Sequence, residues 1–287
     1  MSRKVLVCGV GLMGHGIAQS MAAAGQSVRI YEPDRSRAEA GLERIAGNLE
    51  RAVTKGNLSA EEREAVLARI SIAPSVEEGA LDIDLAVEAV FEDLAVKRDL
   101  FTKLDTCAPD AAILASNTSS ISIASIAQAT EPERRQKVVG MHFFSPVPVM
   151  PLIELIRGAE TSDETEAEVR VIAEELGKQL IVSRDRPGFI VNRILMPFLG
   201  EAMRAYEEEL GTAEDIDTGA RVGLNHPMGP LELADFIGLD VCLYVMEVLH
   251  EGLDSPHFAP PEVLRRLVLE GHLGQKTGRG FYSYPRS

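Results

Sequence analysis

His142 and Glu154 are the two side chains in this sequence best suited to acid–base chemistry. They bracket the stretch His142-Phe-Phe-Ser145-Pro-Val-Pro-Val-Met-Pro151-Leu-Ile-Glu154. A histidine takes and returns a proton near neutrality because its unperturbed pKa is about 6.5. A carboxylate on its far ring nitrogen fixes the tautomer and stabilises the imidazolium. A lone histidine can equally be a structural cap at a strand end, and spacing alone leaves both open. A second constellation lies near the N-terminus: Gly9-Val-Gly11-Leu12-Met13-Gly14, a run of small residues to Ala24, and Glu32 at the end of the next apolar run.

That order of strand, GxGxxG, helix, strand and acid is the order of a dinucleotide-binding unit. Lys4 to Cys8 is a short apolar run, as expected of a parallel strand buried on both faces. Gly9 allows a tight turn, Gly11 lets a pyrophosphate approach the backbone, and Gly14 lets the helix sit close to the strand. The helix start offers free N–H groups and positive dipole potential to the phosphates. Glu32 would accept hydrogen bonds from an adenosine ribose and repel a 2′-phosphate, which favours NAD over NADP; Arg35 is a nearby cation that could accommodate that phosphate.

The remaining elements must place other polar residues on the same rim. From Arg35 to about Arg69 the pattern is helical, broken at Lys55-Gly-Asn57 and restarted by Ser59 with Glu62 three residues on, a capping signature. Arg51 and Lys55 share a helix face, with Asn48 close to it, and form either a solvated face or a phosphate contact. Strand-like runs follow at 70–73, 84–87, 111–115, 137–141, 152–157 and 180–182, with helices expected from Asp93 to about Ala108 and from Thr165 to Leu176. Ligands gather at the carboxyl ends of strands in open parallel sheets. Glu92, Lys97, the run Ser116-Asn-Thr-Ser119-Ser and His142 are therefore expected on the rim with the glycine loop. After Arg184-Asp-Arg-Pro187 the pattern turns helical, over 189–206, 213–222, 230–249 and 261–269, and ends in a glycine-rich tail carrying Lys276.

The expected fold class is α/β: a Rossmann-type, mostly parallel sheet with an inserted helical hairpin over residues 1–185, then an all-α domain over 186–287. The 287-residue chain has a net charge of -15, which leaves no basic surplus for a nucleic acid and would repel an anionic bilayer. Three scattered cysteines show no metal-ligand or disulfide spacing. No metal is expected, and with no signal-type or membrane-length apolar run a cytoplasmic protein is predicted. Apolar positions such as Ile190, Ile194, Phe198 and Phe236 exceed what a small bundle can hide, and point to packing against the first domain and against a second copy, as a homodimer through this helical domain.

The chain resembles the L-3-hydroxyacyl-CoA dehydrogenase family, particularly its single-function 3-hydroxybutyryl-CoA members. The likeness runs through GVGLMGHGIAQ (9–19), VEAVFEDLAVKRDLF (87–101), SNTSS (116–120), GMHFFSPVPVMPLIELI (140–156), RPGFIVNR (186–193), HPMGPLELADFIGLD (226–240) and GQKTGRGFY (274–282). It implies NAD-dependent oxidation of an (S)-3-hydroxyacyl-CoA, short-chain as in 3-hydroxybutyryl-CoA, and the reverse reduction. His142 matches the family's catalytic histidine and Glu154 the glutamate that orients it. Ser119 and Asn192 match residues lining the substrate pocket, and Glu92, Lys97, Ser145 and Lys276 match cofactor-side positions. Asn48, Arg51 and Lys55 fall where the family contacts CoA. Ser145 stands where many members have Asn, and Pro151 where Lys is common. Relatives with the same core act on free hydroxy acids or sugar acids, and a non-catalytic NAD-binding protein of this fold is the contrasting class.

Overall fold

The structure, a computed structural model, describes residues 2–285. The chain divides into two compact units, Met1–Arg186 and Pro187–Ser287.

The first unit is built on one eight-stranded sheet: β1 (Lys4–Cys8), β2 (Ser27–Tyr31), β3 (Ile70–Ile72), β4 (Leu85–Glu88), β5 (Ile113–Ser116), β6 (Val138–Phe143), β7 (Leu152–Arg157) and β8 (Gln179–Arg184). The order across the sheet is β3-β2-β1-β4-β5-β6-β7-β8, and every pairing is parallel except β6 with β7. The order reverses between β1 and β4, so the crevice of a doubly wound sheet opens there. β1, β4, β5 and β6 are buried along nearly their whole length, which explains why they appear as continuous apolar runs rather than alternating ones. The core clusters Val7, Ile17, Ile30, Ile45, Val87 and Phe143 between the sheet and its helices.

The helices are α1 (Gly14–Ala23), the hairpin α2 (Arg35–Thr54) and α3 (Ala60–Leu67), α4 (Val76–Ala80), α5 (Leu94–Cys107), α6 (Ile123–Ala127) and α7 (Asp163–Glu175). Ser59 and Glu62 form the reciprocal capping box that their spacing predicts, and Asp34 caps α2 by accepting the Ser36 N–H at 2.9 Å. The short helices α4 and α6 went unrecognised in the sequence because five residues carry too little periodicity to register. α6 is instead held by a distant residue: Asp185 accepts from the N–H groups of Ile123 and Ala124 and from the Ser122 hydroxyl, at 3.0, 2.8 and 2.8 Å.

The second unit is helical: α8 (Val191–Glu207), α9 (Ala213–Thr218), α10 (Pro230–Ile237), α11 (Leu239–Leu253) and α12 (Glu262–Leu269). The single helix expected over 230–249 is two, because Gly238 stands at φ +106° and breaks the ladder. The helix expected over 213–222 ends at Thr218 and continues as a wider turn, Gly219–Gly223. Its core gathers Leu199, Met203, Leu231, Cys242, Leu249 and Leu264.

Two buried aspartates tie the C-terminal tail to this bundle. Asp235 accepts from the N–H groups of Phe281 and Tyr282 at 3.0 and 2.9 Å and from the Tyr284 hydroxyl at 3.0 Å. Asp217 caps α10 through the N–H groups of Leu231 and Glu232, at 2.8 and 2.9 Å, and also receives the Tyr282 hydroxyl at 2.8 Å. Burial drives the Asp235 carboxyl upward, and the tail's N–H groups offset this only in part. A hydrogen bond to a charged acceptor contributes about 1.5–3 kcal/mol. Asp235→Ala, which removes three, should therefore destabilise the protein by at least about 3 kcal/mol, seen as a lower thermal midpoint and as new protease cleavage between residues 274 and 285.

Candidate active site

The glycine loop lies at the crevice. Gly9 donates its N–H to Tyr31 O at 2.8 Å at a φ of +89°, and a Cβ there would stand 2.5 Å from Ala89 O, in the turn after β4. A Cβ on Gly14 would fall 1.8 Å from Gly9 O, so both glycines are required by protein packing. Gly11 is different, since a Cβ there would meet nothing within 4 Å. α1 starts with no side-chain cap and no acid in its first turn, so its leading N–H groups and positive dipole end are left for an anion. Leu12 is 73% exposed beside this loop. Glu32 accepts the Val10 N–H at 3.1 Å, tying the loop to the end of β2. Arg35 turns to Glu39 at 2.9 Å. These features fit a dinucleotide: an open approach to backbone, an uncapped helix start and a carboxylate one strand away.

The far side of the crevice holds a buried acid that has no local signature in the sequence. Glu88, the last residue of β4, lies between Cys8 of β1 and Ser116 of β5 and is fully buried. Its Oε1 accepts from Lys97 Nζ at 2.6 Å and from the Val90 N–H at 2.8 Å, and its Oε2 from the Ser116 hydroxyl at 2.6 Å. Lys97 also reaches Glu92 Oε2 at 3.0 Å. The side chain of Lys97, for which the resemblance implies a cofactor-side place, is 1% exposed and lies between two carboxylates. Glu92, by contrast, is partly exposed, and its Oε1 accepts from the Ser119 N–H at 3.1 Å and the Ser120 hydroxyl at 2.9 Å, as well as the Thr118 hydroxyl. Burial lifts the Glu88 carboxyl, and Lys97 offsets this only in part. For Glu92, burial is again the largest influence, but the Lys97 ammonium and the loop hydroxyls together outweigh it and hold the carboxyl low.

His142 and Glu154 are brought together by the one antiparallel pairing in the sheet. They stand directly opposite in the β6–β7 register, and Nδ1 of His142 lies 3.1 Å from Glu154 Oε2. Opposed residues on antiparallel strands project side chains to the same face, so twelve positions in sequence become adjacency in space. The imidazole side chain is 8% exposed and the carboxylate 0%. A carboxylate only accepts, so Nδ1 is the donor in this contact and Nε2 is the ring nitrogen turned away from Glu154. Phe144 leans on the imidazole with ring centroids 4.5 Å apart, and Asn117 Oδ1 accepts the Phe143 N–H at 2.9 Å, fastening the 116–120 loop to the histidine strand. Ser145 is exposed in the turn that follows. A second unrecognised residue supports that turn: the buried ammonium of Lys178 donates to the carbonyls of Val147 and Met150, both at 2.7 Å, and burial lowers its pKa.

On α2, Asn48 donates to Gln19 of α1 at 3.2 Å and accepts from Arg51, while Lys55 caps the same helix one turn on. Gln19 carries no signal in the sequence beyond its place in the 9–19 block. Asn192 and Lys276 belong to the second unit. Asn192 is buried in the first turn of α8, and Lys276 is paired with Asp240 at 2.5 Å. Among the described residues no group of three or more His, Cys, Asp or Glu side chains could hold a metal ion. No helix among them is long and apolar enough to cross a membrane.

A doubly wound sheet with an uncapped glycine loop and a buried His–Glu pair at its rim is the architecture of a nicotinamide-dependent dehydrogenase. The chain belongs to the 3-hydroxyacyl-CoA dehydrogenase family: the model of that family's NAD binding domain matches residues 4–186 and that of its C-terminal domain residues 188–284. A probable 3-hydroxybutyryl-CoA dehydrogenase of Bacillus subtilis is 48% identical over 98% of this chain and 97% of its own length. Human mitochondrial hydroxyacyl-coenzyme A dehydrogenase is 41% identical over 98% of this chain and 91% of its own. The crystal structure of the (S)-3-hydroxybutyryl-CoA dehydrogenase of Ralstonia eutropha superposes with a TM-score of 0.95 at 42% identity, covering 100% of both chains.

The two glycine environments separate folding from cofactor binding. Gly11→Ala should leave the thermal midpoint unchanged and weaken NADH by roughly tenfold or more, about 1.4 kcal/mol, in a fluorescence titration. Gly14→Ala should lower both.

Proposed function

We propose that the chain interconverts (S)-3-hydroxybutyryl-CoA, or a similarly short acyl chain, and its 3-oxo thioester, with His142 as general acid and base and Glu154 as its orienter. The observation that carries this is the buried His142–Glu154 pair, standing on the same rim as the dinucleotide loop.

Bound NAD supplies the acceptor for the hydride that leaves C3 of the alcohol. The protein's part is to take the hydroxyl proton at His142 Nε2 as that hydride departs and to return it in the reverse direction. Glu154 keeps Nδ1 protonated and stabilises the imidazolium formed. Ser119 is read as a hydrogen-bonding contact to the substrate, positioned by its N–H on Glu92, and holding the alcohol in a reactive pose is a large part of the rate. Asn192 takes a similar role and Lys276 a cofactor-side one on the strength of the family resemblance. Glu92 is the rim carboxylate beside the nicotinamide in this scheme, with Lys97 acting through it, and the exposed Ser145 is a weaker contact than the Asn common in relatives. The pairing of Asn48 with Arg51 and Gln19 supports an anchor for CoA on α2, with Lys55 adding charge.

A homodimer through the second unit belongs to the same proposal. It is supported by the exposed apolar side chains Ile194, Val222, Leu224 and Phe236, at 67, 80, 65 and 50%. Three free cysteines are in keeping with a cytoplasmic home.

With NADH and acetoacetyl-CoA, His142→Gln and Glu154→Gln should each reduce turnover by about 10²–10⁴-fold; turnover near that of the unmodified enzyme would remove the acid–base assignment. Arg51→Ala combined with Lys55→Ala should raise the KM for the CoA thioester with little change in kcat, and an unchanged KM would make α2 a solvated face. Turnover of free 3-hydroxybutyrate comparable to that of its thioester would overturn the substrate class.

A further inference from the structure

Glu88 is a buried carboxylate at the crevice that the chemistry above does not use. It does not reach the surface, being 0% exposed, so it can act only through its neighbours. Those neighbours form a closed ring. From Oε1 the chain of contacts runs through Lys97 Nζ (2.6 Å) to Glu92 Oε2 (3.0 Å), and from the other oxygen of Glu92 to the Thr118 hydroxyl. From Oε2 it runs through the Ser116 hydroxyl (2.6 Å), which in turn accepts the Thr118 N–H at 3.2 Å. Both routes close on Thr118, the residue before Ser119, and Glu92 also holds the Ser119 N–H.

We infer that Glu88 is a positioning residue for the reaction, presetting Ser119 by holding both routes into its loop at once. Every partner of Glu88 named here is a donor, which matches the acceptor-only character of a carboxylate. Lys97 is held between two acids, so neutralising Glu88 would leave the ammonium to Glu92 alone and draw that carboxylate away from Thr118, Ser119 and Ser120. At the same time Ser116 would lose the acceptor that orients its oxygen toward the Thr118 N–H. A shift of about 1 Å at a substrate contact costs on the order of 10²-fold in rate. The inference rests on Ser119 being a substrate contact.

The test is a double-mutant cycle on the full chain with NADH and acetoacetyl-CoA. Glu88→Gln keeps the size and shape of the side chain and should lower kcat by about 10–10²-fold, with the affinity for NADH held within a few-fold. Ser119→Ala should also lower kcat. If Glu88 acts through Ser119, adding Glu88→Gln to Ser119→Ala should cost less than about threefold more. Fully additive losses would overturn the inference, because a general loosening of the fold is indifferent to Ser119. Unchanged turnover of Glu88→Gln alongside an impaired Ser119→Ala would sink the role of Glu88 while leaving the active site as proposed. An unimpaired Ser119→Ala would instead remove the substrate contact, and the role of Glu88 with it. Should Glu88→Gln misfold because it strands the Lys97 charge, the pair Glu88→Leu with Lys97→Met removes both charges together, a change that is often neutral for stability. The same cycle then applies to that pair.

Discussion

The burial of acids and a lysine inside the sheet is the constraint on which the rim depends. Glu88, Lys97 and Glu154 are all fully or almost fully buried, and an unpaired charge in such a place would cost several kcal/mol. The fold meets this by donor count. Glu88 receives three donors, Lys97 meets two carboxylates, and Glu154 faces the imidazole N–H. Each pairing that makes burial tolerable also fixes a side chain in one orientation, so stability and preorganisation come from the same contacts. The rim is therefore stiff where chemistry needs it stiff, on strand ends and on a loop fastened to them.

Sheet topology supplies the second constraint. Parallel strands β1, β4 and β5 deliver the glycine loop, Glu88 and the 116–120 loop to one edge, because all of them end there. A histidine and an acid only twelve positions apart could not be joined that way, since parallel neighbours need a crossover of about a dozen residues or more between them. The reversal at β6–β7 solves this with one hairpin, whose turn over 144–151 is held from below by Lys178. The second unit works differently. Its helices are closed by Asp217 and Asp235, which hold the tail by hydrogen bonds beside the packing of Phe281 and Tyr282 on the apolar core.

Long or punctuated features were legible in the sequence. The strand, glycine turn and acid of the dinucleotide unit could be read from residue type, as could the capping box at Ser59 and Glu62 and the helical character after Pro187. Where periodicity is short or a single dihedral decides, it was not: α4 and α6 were missed, and Gly238 split a helix that hydrophobicity alone would continue. Among the site residues, His142 and Glu154 were visible as a pair, while Glu88 and Lys178 were passed over. A buried charge has no local signature, since its significance lies in which strand stands beside it.

By itself the sequence determined the fold class, the cofactor loop and the family, because each is encoded in residue types at short spacing and needs only local backbone rules to read. Only the tertiary structure decided that Lys97 is buried between two carboxylates, that Glu88 meets both Lys97 and Ser116, and that twelve residues of separation become one hydrogen bond between His142 and Glu154. Those outcomes depend on strand register and on which charges share a buried space, and neither is a property of any single stretch of chain.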